Sequence, residues 1–93
     1  MKIAKFNTLT EAENKLSSYN TLAGLSENEY TTTLANIQKH TTLDIWWFNF
    51  TSCINNGGLG KDQIAADEPN LIIQEFNSYQ DFVDNGYLPQ PSL

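Results

Sequence analysis

The chain has 93 residues, enough for one domain and too few for a second independent core. Hydrophobic residues make up 40% and aromatics 12%, which is enough for a core without staples, and the lone Cys53 excludes an intrachain disulfide and a Cys-cluster zinc site. Five Lys, no Arg and 11 acids give a net charge of −6, which argues against nucleic-acid and anionic-membrane binding.

Residues 2–6 read as a short strand anchored by Ile3 and Phe6. Thr8 and Thr10 both offer helix N-caps, each with Glu three residues on, and Thr10 to Glu13 forms a capping box. Leu9, Ala12, Leu16, Tyr19 and Ala23 follow at helical spacing, and Gly24 is a good stop. A second box at Ser26–Glu29, with Tyr30, Leu34 and Ile37 in step, predicts a helix over 27–39 despite Thr31, Thr32 and Thr33.

Residues 43–54 have a strand-like composition but a helical period. Leu43, Trp46, Trp47, Phe50, Cys53 and Ile54 share one arc of a helical wheel, so the segment is read as a helix, with a strand as the alternative. In the helical reading Trp46, Trp47 and Phe50 face the core, while Ile45 and Phe48 face outward. Asn55 to Gly58 end the element. A loop rich in Gly and acids follows, with one helical turn at 62–66 and Pro69 closing it.

Residues 70–76 read as a second strand. Ser78 then caps a short helix with Asp81 at its third position, Phe82 and Val83 face inward, and Asn85-Gly86 stop it. The two prolines of 87–93 make that tail extended. The stretch Ile3–Glu11 is echoed by Ile73–Asp81: strand, Phe-Asn, hydroxyl cap, acid three residues later. Two strand–helix units side by side in one sheet would produce this echo, and so would ordinary convergence of junction chemistry. The expected fold is α+β, one domain over 1–86 plus the tail, with three to four helices on a two-stranded sheet formed by segments near both ends.

Chemistry-bearing residues are sparse. Cys53, His40 and Asp44 are the one nucleophile–base–orienter set available, but Cys53 sits on the apolar arc near a helix C-terminus, the wrong end for a thiolate. Asp62, Asp67 and Glu68 lack the alternating oxygen ligands of a calcium loop. Gly57-Gly58-Leu59-Gly60-Lys61-Asp62 lacks the leading Gly and the Ser/Thr of a phosphate loop. The expectation is therefore a non-enzyme without cofactor or metal.

The charge is unevenly placed. Residues 1–61 hold all five Lys and five acids, so the whole −6 lies in Asp62, Asp67, Glu68, Glu75, Asp81 and Asp84. No apolar leader or membrane-length run appears, which points to the host cytoplasm or a particle assembled there. Eleven Asn, nine Thr and no Arg suggest AT-rich coding, common in bacteriophage accessory proteins and mobile-element proteins. The expected role is a small structural or accessory subunit of a larger assembly, a virion protein above all, working as an oligomer or in a complex with other subunits. The alternative is an acidic inhibitor or immunity-type protein covering a basic nuclease or other nucleic-acid-binding protein. Ile45, Phe48, Tyr87 and Leu88 are the expected assembly contacts, and the six late acids the expected contacts for a basic partner.

Overall fold

The computed structural model describes residues 1–25 and 34–87. Its centre is β1 (Lys2–Phe6), which is flanked in an antiparallel sheet by β3 (Trp46–Asn49) and β4 (Ile72–Glu75). β2 (Gln38–Lys39) pairs with the far side of β3, giving the order β2-β3-β1-β4. The α+β class and the pairing of segments near both ends agree with the sequence. The sheet has four strands rather than two, because two short strands lie inside segments whose spacing predicts helix.

The register puts Ala4, Phe48 and Ile73 in one row, and Ile3, Asn49 and Gln74 in the next. Side chains alternate across a strand, so these rows face opposite ways. On the first face, α1 (Leu9–Leu22) lays Leu16 and Tyr19 against Ala4 and Phe48. There α2 (Phe50–Asn55) and α3 (Lys61–Ala66) add Phe50, Cys53 and Ile64. On the second face, α4 (Tyr79–Asp84) sets Phe82 over Ile3, Trp47, Phe76 and Tyr87.

Residues 43–54 are corrected in half. Trp46–Asn49 is a strand, and helix begins only at Phe50. β3 lies inside the sheet with a layer on each face, so Trp47 and Phe48 are both buried on opposite sides. A strand covered on both faces reads as a continuous apolar run, which accidentally satisfies a helical arc. Asn49 makes the joint: its Oδ1 accepts from Ser52 N at 2.9 Å and caps α2. The helix expected over 27–39 fails at its end, where Gln38–Lys39 is a strand; residues 26–33 lie outside the described residues.

The two strand–helix junctions share their caps. Thr8 Oγ1 accepts from Glu11 N at 3.2 Å, and Ser78 Oγ accepts from Asp81 N at 3.1 Å. The strands of the echo are paired neighbours, and their helices cover opposite faces. Gly24 and Gly86, at φ 78° and 84°, follow α1 and α4 in the left-handed region that glycine tolerates. Among the described residues, no helix is long and apolar enough to cross a membrane.

Candidate interaction site

Of the nucleophile–base–orienter set, Cys53 lies on one face of the sheet, while His40 and Asp44 share a turn at the other and have their side chains engaged elsewhere. Cys53 is fully buried in the cluster on the α1 face, and burial pushes its thiol up to about 12. His40 is buried at the other face beside Tyr87, with ring centroids 4.6 Å apart. Its Nδ1 accepts from Thr42 N at 3.1 Å and Leu43 N at 2.9 Å. Two amide donors at Nδ1 assign the ring proton to Nε2, which donates to Asn85 O at 2.6 Å. Both ring nitrogens are thus committed to backbone. Asp44 is exposed and pairs with Lys39 at 3.5 Å.

The glycine-rich segment has a packing role. A 3₁₀ turn at Gly58–Gly60 leads into α3. A Cβ on Gly60 would lie 2.2 Å from Leu22 O, so this glycine lets the end of α1 rest on the turn. Among the described residues, no three His, Cys, Asp or Glu side chains gather where a metal could be held.

The six late acids separate into two kinds. Asp67 accepts from Tyr19 Oη, Lys15 Nζ and Asn70 Nδ2, and Glu68 accepts from Lys2 Nζ at 3.1 and 3.2 Å. These two brace the fold. Asp62, Glu75, Asp81 and Asp84 are exposed; Asp84 accepts from Gln80 Nε2 at 2.7 Å, and Glu75 has no ion pair among the described residues.

The expected assembly contacts need correction. Phe48 is 0% exposed and lies between Phe6 and Tyr19, at centroid distances of 5.3 and 6.2 Å. It faces inward because the segment is a strand there. Tyr87 is 3% exposed, packed on Trp47, Phe76 and Phe82, so it belongs to the core. Leu88 and the remaining tail lie outside the described residues. Ile45 is half-buried and lines a recess of about 190 Å³ with Lys5, Phe6, Asn7 and Ile72.

Ile72 brings that recess to the β4 edge of the sheet. It is 61% exposed on β4, the terminal strand. Met1 N donates to Phe76 O at 3.2 Å and Phe76 N donates to Met1 O at 2.8 Å. Antiparallel ladders alternate bonded and non-bonded pairs, so Gln74 and Ile72 also turn their backbone groups toward β1. Ile73 and Glu75 therefore direct N–H and C=O outward, where no strand is paired among the described residues.

Natural sheets blunt such edges with Lys, Pro, bulges or covering segments. β4 reads Ile-Ile-Gln-Glu over four residues; it has neither Lys nor Pro, and Glu75 is its one charge. The opposite edge is only two residues long and ends in Lys39. Ile72 and the outward backbone of Ile73 escape a reading of the sequence, because a two-stranded sheet gives no reason to ask which edge is open. The missing Lys and Pro in 71–76 were the available signal.

Comparisons with family models, with curated proteins and with solved structures find nothing that matches this chain.

Proposed function

We propose that this protein is a small non-enzymatic accessory subunit that acts by binding other protein chains in a larger assembly. The observation that supports this most is β4, an edge strand with an exposed Ile72 and outward-facing backbone groups at Ile73 and Glu75. An edge with no strand paired to it among the described residues is a template for another chain. The placement of Cys53 on the opposite face from His40, and the engagement of His40 with backbone and of Asp44 with Lys39, support the non-enzymatic part. Placement in a bacteriophage particle rests on composition alone, the 11 Asn and nine Thr without Arg.

The inhibitor alternative draws on fewer groups than the sequence offers. Asp67 and Glu68 are spent on Tyr19, Lys15 and Lys2, which leaves Asp62, Glu75, Asp81 and Asp84 for a basic partner.

The test is the mass of the protein isolated gently from its own source, measured by light scattering after size exclusion. The expected result is a complex well above 10.5 kDa with a second protein in fixed proportion. A monomer of 10.5 kDa overturns the accessory reading.

A further inference from the structure

We propose that β4 accepts an antiparallel strand from a basic partner chain, with a Lys or Arg beside Glu75 and an apolar residue against Ile72. This deepens the accessory reading and rests on it.

The backbone supplies the docking bonds. Both N–H and C=O of Ile73 and of Glu75 point away from β1, so an added strand continues the ladder already made with β1. The side chains supply the selection. Residues opposite one another in a ladder share a face. Glu75 shares its face with Lys2, its cross-strand partner, yet Lys2 Nζ is held by both oxygens of Glu68. The Glu75 carboxylate is exposed and has no cation among the described residues. A residue opposite Glu75 stands beside that carboxylate.

Ile72 lies on the other face, beside the recess it lines with Ile45. Antiparallel pairing places the residue opposite Ile72 three positions after the one opposite Glu75. The recognised pattern is a cation, two residues of any kind, then an apolar side chain.

Charge and pattern favour a foreign strand over a second copy: in a second copy's β2 edge, Lys39 is followed three positions on by Thr42 rather than an apolar residue. Leu71 to Phe76 contain no Lys, so a second β4 brings no cation to Glu75 in any register. Each further copy also brings a net charge of −6. A basic strand meets neither obstacle, and the protein's negative field speeds its approach.

The probe is a short synthetic peptide with a Lys three positions before an Ile, beside a control with Glu in place of that Lys. At saturating peptide, amide hydrogen exchange slows at Ile73 and Glu75 and stays unchanged at Gln74, which already faces β1. Glu75→Lys weakens the Lys peptide by about threefold or more and strengthens the Glu peptide, in line with reversal of one exposed charge pair. Glu75→Pro removes an outward N–H and abolishes binding, with the melting curve as its check, since edge strands tolerate Pro. Should that variant unfold, the exchange pattern and the charge reversal decide.

Unchanged exchange at Ile73 and Glu75, or equal loss of both peptides in Glu75→Lys, overturns the proposal. So does a dimer without peptide that protects those two amides. A native complex that survives Glu75→Lys and Glu75→Pro rejects strand docking while leaving the accessory reading intact.

Discussion

The Tyr19 hydroxyl donates to Asp67 Oδ2, joining α1 to the 3₁₀ turn at Glu68–Asn70 that leads into β4. Burial raises the Asp67 carboxyl, but the donors Tyr19, Asn70 and Lys15 outweigh it and hold it below the usual 3.8. Burial and the adjacent carboxylate push the Tyr19 phenol well above 10.0. Tyr19→Phe is expected to cost about 1–3 kcal/mol in urea unfolding, because Asp67 loses a buried-side donor.

The same pair sets two limbs of a pH profile. Asp67 has a lowered folded pKa, so its contribution is present above 3.8 and fades as pH falls through the folded value. Tyr19 has a raised folded pKa, so its contribution is full below 10.0 and fades as pH climbs toward that folded value. Urea midpoints across pH are expected to fall at both ends. Asp67→Asn flattens the acid limb and Tyr19→Phe the alkaline one; unchanged limbs in both variants would contradict this account.

His40 and Gly86 are expected to behave as a coupled pair. The imidazole ties the turn at residues 40–43 to the end of α4, so His40→Ala costs about 2–4 kcal/mol. A Cβ at Gly86 would fall 2.7 Å from His40 Cε1 and Nε2, at a φ of 84° that strains any other residue. Gly86→Ala is therefore destabilising alone and less so when His40 is already Ala. A double-mutant cycle by thermal unfolding reads the coupling.

Gly60→Ala is expected to cost about 3 kcal/mol, at the upper end for overpacking. The obstruction is backbone, Leu22 O at 2.2 Å from the added Cβ, so no side chain can swing aside. Gly58 also has a positive φ of 55° but meets nothing within 4 Å, so Gly58→Ala shows the backbone strain without the clash. Comparing the two melting temperatures separates these causes.

Cys53 is expected to be inert in the folded protein. It is fully buried and its thiol is pushed up to about 12, so thiolate is scarce at neutral pH. Labelling by a thiol reagent should follow the rate of unfolding. Labelling that is fast and independent of denaturant would contradict the placement. Cys53→Ser, which buries a hydroxyl, is expected to cost about 1–3 kcal/mol.

Local chemistry was readable, and so was the pairing of the two end segments, β1 with β4; the pairings made by β2 and β3 were not. Thr8, Gly24, Ser78 and Gly86 carry caps and stops that depend on neighbours within a few residues, and β1, α1, α3, β4 and α4 stand where they point. Trp46 to Phe48 misled because burial on both faces erases the alternation that marks a strand. Gln38–Lys39 is a strand through its pairing with Trp46 and Trp47, which no local pattern reveals. Of the expected contacts, Ile45 lies beside the β4 edge, whereas Phe48 and Tyr87 were consumed by the core. Asp67 and Glu68 looked like surface charge because their partners Tyr19, Lys15 and Lys2 are far away in sequence.

β1 occupies the middle of the sheet, yet it leaves the ribosome before either of its neighbours. Its ladder waits for residues 46–49 on one side and 72–75 on the other, and Met1 bonds to Phe76 across a separation of 75 residues. α1 can form while translation continues, and the β3 flank can close once residues 46–49 are made, but the β4 flank closes only after residues 72–75 follow. Completing the sheet depends on non-local pairing, slower than local helix formation. Nascent chains stalled before β4 would carry an unpaired Lys2–Phe6 edge, the kind of exposed strand that invites aggregation.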